Sequence, residues 1–524
     1  MKAYSVVILL LLQVLIYLSA SFVFCKHALL MFQQNRYELY RYSKWLFNRR
    51  NIYFNPSYVY AALVIIVSLI FKNNLLLILA LTIAFAIYSL YKEIHKTYIK
   101  DLVLTARVKR QIVVYSILMF LFTLCSVIVF PPFVSGILSI IVPYLMIYLM
   151  AIITLPMENM IKKRYENEAR KILEENNRLI KIGITGSYGK TSTKNIVNDI
   201  ISDNFFTLIT PASYNTPMGI TRTIREMLKP VHEVFVCEMG ADKVGDIEYL
   251  MDFVKPRYGI VTSIGPQHLN TFKSMDNIIR EKMKEVEMLP RDGVAFINLD
   301  NEYIASYRIA NSCKVISVGV DNKEADYVAE NISYDRNGSS FCLKAGDEEY
   351  QFTTSLLGKH NITNVLIGIA LARELGMSME EIARKVKRIA QVEHRLEVKK
   401  INGFTFIDDA FNSNPVGSKM ALDVLSTMPG RRVIVTPGMI DLGVKEDEIN
   451  KEFGSYMLDK ADLVILVGEK QTMKIKEGLS ESGFDENNII VFKNIREAFN
   501  YIYANLSQDD TILLENDLPD AFNV

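Results

Sequence analysis

The chain has little with which to build a covalent or zinc framework. Five cysteines in 524 residues (Cys25, Cys125, Cys237, Cys313 and Cys342) are scattered, with no Cys-x-x-Cys pair. That spacing excludes a disulfide scaffold and a cysteine zinc ribbon, and it fits reduced, packed thiols in a reducing compartment. Neither sign of charge is in excess: 59 basic residues stand against 58 acidic ones, so no global field recruits nucleic acid. The C-terminal part carries no Gly-x-Gly-x-x-Gly, which argues against a bound dinucleotide. A transporter-type ATPase would need a Walker B aspartate and a signature loop, and neither is present.

Acidic residues are also missing from five apolar runs near the N-terminus: Ala3–Phe24, 56–71, 75–91, 112–130 and 133–155. Each is read as a membrane span, and the missing carboxylates argue against an ion pathway. The first run is too long for a signal-peptide core, and no small-x-small site before Lys26 makes a convincing cleavage site. Lys72–Asn74 and Pro131–Pro132 read as tight turns. The connections 26–55 and 92–111 are rich in Lys and Arg, so they belong in the cytoplasm. Five spans then leave the N-terminus outside and everything after Leu155 in the cytoplasm. Trp45, with Tyr37, Tyr40 and Tyr42 beside it, suits either an interfacial helix on the inner leaflet or a helix packed against protein. The charged stretch Met157–Lys181 has apolar residues at helical spacing and reads as a connecting helix.

Beyond this stretch the chain has the composition of a soluble α/β protein. "LIKIGIT" reads as a buried strand and "KTSTKNIVNDII" as a helix with one apolar face. Between them Gly186, Ser187, Gly189, Lys190, Thr191 and Ser192 form a glycine-rich turn. Backbone N–H groups there can wrap phosphate oxygens, Lys190 can reach the β- and γ-phosphates, and the Thr191 hydroxyl can ligate Mg²⁺. The first Walker glycine would fall at Ile184; Gly183 lies one place earlier. Strand "EVFVCEMG" ends in Glu238, where a second Mg²⁺ ligand belongs, and "YGIVTSIGPQHLNTF" carries His268 to the same strand edge.

Strands near 180–185, 205–210, 233–238, 258–263 and 294–298 alternate with helices, which predicts a parallel sheet, and 315–356 reads as antiparallel strands appended to it. From Arg395 the strands "RRVIVTP", "DLVILVG", "NIIVF" and "TILLEN" predict a second, Rossmann-like unit. The expected organisation is a helical transmembrane domain over 1–156, a connecting helix over 157–178, an α/β P-loop domain over 179–393 and a C-terminal α/β domain over 394–524. ATP is expected in the cleft between the last two domains.

Taken together, "TGSYGKTS", "EMGADKVGDI", "GPQHLNTF", "REKMKEVEMLP", "GKHNITNVLIGIALA", "EHRLE", "IDDAFNSNP" and "VTPGMIDLG" resemble the Mur ligase family in one order, over roughly two thirds of the chain. Within the family the chain is most similar to the MurF branch. The resemblance implies an ATP-dependent acid–amino acid ligase that works through an acyl phosphate. It implies Thr191, Glu238, His268 and a carbamylated Lys282 around Mg²⁺, with Lys190 and Arg395 on the phosphates. His360, Asn361, Asn364 and Asp409 are implied at the nucleotide, and Asn215, Asn412 and Asn414 toward substrate. The implied partners are ATP, a carboxylate-bearing envelope precursor, and an amino acid or dipeptide amine, together with the lipid bilayer. Members of the MurF branch carry a UDP-gripping N-terminal domain; here membrane spans precede the P-loop domain, so a lipid-linked or polymer carboxylate is the alternative acceptor. A non-catalytic nucleotide-binding membrane protein is the other alternative. "ENDLPD" (Glu515–Asp520) matches no family motif.

Overall fold

The computed structural model describes residues 2–47, 75–95, 101–212, 214–335, 338–391, 395–410, 415–439 and 445–516, with Ile66, Ile70 and Leu442. Most of the run 56–71, the 411–414 loop with Asn412 and Asn414, and 517–520 lie outside the described residues. The chain divides into two compact units, Met1–Arg164 and Tyr165–Val524.

The first unit is helical: α1 (Lys2–Gln34), α2 (Leu39–Leu46), α3 (Leu75–Ile94), α4 (Ala106–Val129) and the first part of α5 (Pro132–Glu175). Among the described residues two helices, Ala106–Val129 and Ile141–Glu175, are long and apolar enough to cross a membrane. The sequence pattern places a break near Pro156, yet α5 runs on through Pro143 and Pro156. A proline removes one N–H and leaves the carbonyl four residues earlier without its donor. For Pro143 that carbonyl is Ser139, and the Ser21 hydroxyl of α1 donates to it at 2.8 Å. A neighbouring hydroxyl is how an apolar helix tolerates an internal proline. Helix α2 packs inside this unit: Tyr42 is fully buried and donates to the Tyr144 carbonyl at 3.0 Å, while Trp45 meets His27 edge-on. Arg110 clamps Glu158 through two 2.8 Å bonds, fixing the start of α4 against α5.

In the second unit a nine-stranded sheet runs in the order β2-β3-β1-β4-β5-β6-β7-β8-β9. Its strands are β1 (Ile180–Thr185), β2 (Thr207–Ile209), β3 (Val234–Glu238), β4 (Tyr258–Val261), β5 (Val294–Asn298), β6 (Lys314–Gly319), β7 (Tyr327–Asp335), β8 (Gly338–Ala345) and β9 (Glu348–Thr354). Pairing is parallel from β2 to β7 and antiparallel for β7–β8 and β8–β9. Central strands such as "VFVCE" and "VAFIN" are buried throughout, as parallel strands covered on both faces must be.

One face is covered by α6 (Lys190–Ile201) together with two later helices, and the other by α7 (Pro217–Met227), α8 (Asp246–Val254) and α9 (Met275–Glu287). The end of α5 joins this second face: Ala169 and Leu173 are buried in it, and Arg170 and Glu168 pair with Asp252 and Arg225. The later helices on the first face are α10 (Lys359–Glu374) and α11 (Met379–Val386). At Gly368 a Cβ would lie 2.7 Å from Ile200 Cδ1. The absent side chain therefore lets α10 press against α6, the helix that begins at the phosphate loop.

A six-stranded sheet follows in the order β10-β11-β15-β12-β13-β14, parallel except for β10 against β11. Strands β12 (Arg432–Thr436), β13 (Leu463–Val467), β14 (Ile489–Phe492) and β15 (Thr511–Glu515) are the four expected ones. Strands β10 (Glu397–Ile401) and β11 (Phe404–Asp409) are additions to the expected set. The short polar "EVKKI" makes an edge, and "FTFIDD" carries its acids at the strand end, so neither shows the apolar run of a buried strand.

Candidate active site

β1 lies between β3 and β4, the point at which strand order reverses, and loops at such a switch point form the ligand crevice of an open parallel sheet. Three expected groups arrive at this edge. Gly186 and Gly189, at the end of β1, hold φ +152° and +82°; a Cβ at Gly186 would sit 2.1 Å from Thr262 Oγ1. Both positions require glycine.

The loop is stitched to the chain beyond β4. The Ser187 amide donates to the Ser263 carbonyl at 2.6 Å, and its hydroxyl donates to the Gly265 carbonyl at 3.0 Å. Thr262 and Ser263 hydroxyls donate to the Tyr188 carbonyl. Lys190 folds back over the loop and donates to the Gly186 and Ser187 carbonyls at 2.7 and 3.1 Å. Ser192 is buried on the first turn of α6.

Glu238, almost fully buried at the end of β3, gathers three donors. The Thr191 hydroxyl lies 3.0 Å and Lys194 Nζ 3.3 Å from its Oε2; Asn215 Nδ2 donates to Oε1 at 3.0 Å. His268 adopts left-handed backbone at φ +53° and holds Nε2 3.4 Å from Asp242 Oδ1.

The cations of the site act on one another. Burial lowers the Lys190 ammonium to about 8, with Arg395 repelling it and Glu238 and Asp242 opposing the shift. Burial lowers Lys282 to about 7, with Lys190 adding repulsion and Glu281, Asp242 and Glu285 opposing. Burial also lowers Arg395, which Asp409 and Glu238 partly offset. Lys282 and Arg395 thus each act on Lys190, and the carboxylates around them offset that repulsion only in part.

The remaining expected residues fall around this centre. Asn364 faces Gly189, where a Cβ would lie 3.2 Å from its Oδ1. Asn361 is committed to the Leu357 carbonyl at 2.8 Å. His360 is kept neutral, lowered to about 4 by burial and by Arg395, and its buried Nδ1 has no partner among the described residues. Asp409 accepts from the Leu396 amide at 3.1 Å; burial pushes its carboxyl up to about 6, and Glu515 in the adjoining strand hydrogen-bonds to it. Glu515 therefore gives the C-terminal stretch without a motif a place in the structure.

Comparison with known proteins decides the family. Residues 184–372 match the Mur ligase middle domain and 394–515 the Mur ligase glutamate ligase domain, together more than half of the chain. The chain belongs to the Mur ligase family. It is 28% identical over 338 residues to the UDP-N-acetylmuramoyl-tripeptide–D-alanyl-D-alanine ligase of Bacillus subtilis, covering 64% of this chain and 72% of that one. It is 28% identical to the Escherichia coli enzyme of the same name, covering 59% and 69%.

Among solved structures, MurF from Acinetobacter baumannii superposes with a TM-score of 0.61 at 26% identity, over 68% of this chain and 77% of that one. MurF ligase from Thermotoga maritima in complex with ADP gives a TM-score of 0.61 at 21% identity, a likeness of fold, over 68% and 80%. The chain is accordingly an ATP-dependent acid–amino acid ligase of the Mur type, MurF-like and of peptidoglycan synthesis.

The sequence motifs place His268, Lys282, Glu238 and Thr191 in one cation cluster. In this Mur ligase Thr191 meets Glu238, and His268 meets Asp242. Among the described residues no three His, Cys, Asp or Glu side chains close into a cage. Mg²⁺ takes few protein ligands and keeps water and phosphate oxygens, and the hydroxyl and carboxylate donors present suit it.

Three residues escape the sequence reading. Asp242 lies within "EMGADKVGDI", and its spacing from Glu238 is the available signal. Lys194 follows Lys190 by one helical turn and is only 1% exposed. Glu285 follows Lys282 by one turn; it is fully buried, neither oxygen has a hydrogen-bond partner among the described residues, and burial pushes its carboxyl up to about 8 against the Lys282 charge.

Glu285 presses on Gly183, where a Cβ would lie 2.0 Å from its Oε1. Gly183→Ala is expected to cost about 2–3 kcal/mol of stability, and Glu285→Ala in the same chain to recover most of it, measured by urea unfolding. Because the native carboxyl keeps a proton that the unfolded one releases above its ordinary range, Glu285 lowers stability as pH rises from about 5 toward 8. The depressed Lys282 acts in the opposite sense from about 7 upward. The Glu285 effect is therefore read between pH 5 and 7, where Glu285→Gln should remove roughly 2–3 kcal/mol of the pH-dependent loss.

Proposed function

We propose that this chain is a membrane-anchored MurF-type ligase that joins an envelope-precursor carboxylate to an amino acid or dipeptide amine, with D-alanyl-D-alanine and a muramyl tripeptide as the leading pair. The observation that carries this reading is the loop beside Glu238, where Lys190 folds over the Gly186 and Ser187 carbonyls and the Thr191 hydroxyl lies 3.0 Å from Glu238 Oε2, with Lys282 and Arg395 each acting on the Lys190 charge. Such a cluster suits a triphosphate. Thr191, Glu238 and His268, with Asp242 beside them, would hold Mg²⁺, which when bound supplies positive charge to the phosphate oxygens.

The acceptor carboxylate attacks the γ-phosphorus and ADP leaves. The neutral amine then attacks the acyl carbon, and phosphate departs from the tetrahedral intermediate with the former carboxylate oxygen while the nitrogen releases one proton to solvent. Neither step asks for a protein nucleophile. The site contributes position and charge: Lys190 and Arg395 on the phosphates, and Asn364 at the loop. Carbamylated Lys282 would turn a repelling cation into a ligand. The stretch around Asn215, which bridges Glu238 and Gly240, is read as the acceptor side.

A second acceptor, a lipid-linked or polymer carboxylate, is favoured by the two helices apolar enough for a bilayer among the described residues. Detergent-solubilised protein, assayed for ADP release, tests both. UDP-linked muramyl tripeptide with D-alanyl-D-alanine should release ADP and form an amide. Release only with lipid-linked precursors would move the assignment to the second acceptor. No release with any acid and amine, despite stabilisation by MgATP, would leave a non-catalytic nucleotide-binding protein.

A further inference from the structure

Lys194 is a buried cation that the reaction above does not use. Its Nζ donates to the Ala212 carbonyl at 2.5 Å and lies 3.3 Å from Glu238 Oε2. Ala212 holds φ +43°, a left-handed conformation that a non-glycine residue keeps only when its surroundings impose it. The next described residues return to the same carboxylate: Asn215 donates to Glu238 Oε1 at 3.0 Å and accepts from the Gly240 amide at 2.8 Å. Before them, the Thr210 hydroxyl accepts from the Glu238 amide at 3.0 Å. Thr216 then caps α7 by accepting from the Gly219 amide. A single carboxylate at the end of β3 thus faces the phosphate helix through Thr191 and the 210–216 segment through Lys194 and Asn215.

We propose that Lys194 is a positioning residue that ties the described residues of this segment, 210–212 and 214–216, to Glu238, so that events at the nucleotide set the geometry of the acceptor side. The ammonium reaches both partners from the second turn of α6. When Glu238 turns toward a cation its pull on Lys194 weakens, and the Ala212 carbonyl becomes the ammonium's remaining described hydrogen-bond partner. Nucleotide binding then tightens the segment. The assignment of this segment to the acceptor rests on the proposed function; the tie itself does not.

The test compares Lys194→Met, Lys194→Arg and Lys194→Met with Ala212→Gly, all in the full-length chain. Hydrogen exchange reads the tie without any acceptor. In the wild type MgATP should slow exchange of amides across 212–219; in Lys194→Met that protection should be lost and basal exchange there should rise about tenfold or more. Kinetics read the consequence: Lys194→Met should raise the acceptor KM about tenfold with a smaller change in the ATP KM, and Lys194→Arg should restore part of it. Glycine at 212 favours the left-handed backbone on its own, so the double variant should recover part of the acceptor KM. Should Lys194→Met fold poorly, Ala212→Gly alone keeps the tie open to measurement: it should leave the MgATP-dependent protection intact. A uniform fall in kcat with unchanged KM values and unchanged protection at 212–219 would reduce Lys194 to a structural ion pair. If wild type releases no ADP with any acceptor, the proposed function falls while the exchange result still decides the tie.

Discussion

Lys190→Ala is expected to abolish ligation, lowering kcat/KM for ATP by about 10³-fold or more with every acceptor. The size reflects what the ammonium does. In phosphoryl transfer the protein forms no bond to the reacting atoms; it neutralises charge as it shifts to the leaving oxygen, and a positioned cation in a water-poor crevice is worth far more there than in solvent. Without nucleotide, Lys190 spends its protons on the Gly186 and Ser187 carbonyls. These are two hydrogen bonds from a side chain whose charge burial already disfavours, so their loss should lower stability by only about 1 kcal/mol. The variant should therefore fold with nearly unchanged Tm and yet gain little from MgATP. A folded Lys190→Ala enzyme that still releases ADP at an appreciable fraction of the wild-type rate would remove Lys190 from the phosphates.

The contrast between small structural and large catalytic effect explains what can be read from the residues alone. Gly186 and Gly189 are legible because the turn depends on local backbone freedom, and Lys190 and Thr191 because a helix start fixes their direction. Glu238 and His268 are legible because parallel strands deliver their carboxyl ends to one edge. The fate of charged residues inside helices is not. In "REKMKEVE" the family resemblance singles out Lys282 alone, yet Glu281 and Glu285 are buried beside it, and Lys284 bridges Glu248 and Glu281. Which of several neighbouring charges turns inward depends on how α9 lies on β1 and β4. A glycine at 183 making room for a carboxyl is a tertiary fact. In the same way, Glu515 acquires meaning only once β15 is seen beside β11, with Asp409 as its register partner.

Loss of the Lys282 amine should cost about 10²–10³-fold in kcat, and short-chain carboxylates should return part of it. The unmodified side chain puts an ammonium where the site already has a cation. Lys282 is 2% exposed and repelled by Lys190, and its pKa falls to about 7, so near neutral pH much of it is the free amine. A free amine adds to CO₂: the nitrogen lone pair forms the N–C bond, one proton goes to solvent, and the product is a carbamate anion. Its sign is opposite to that of the ammonium, so the Lys190 charge that disfavours the ammonium would stabilise the modified group, and a cation ligand would stand in place of a cation. At fixed dissolved CO₂, activity should fall as pH drops below about 7 and the amine is protonated. Removing CO₂ should reproduce the defect of Lys282→Ala, and acetate should partly rescue the variant by placing a carboxylate in the space the side chain left. Labelled bicarbonate should give a carbamate carbon signal in the wild type and none in Lys282→Ala. Full activity in CO₂-free buffer, with no rescue of the variant, would leave Lys282 as an ordinary buried amine.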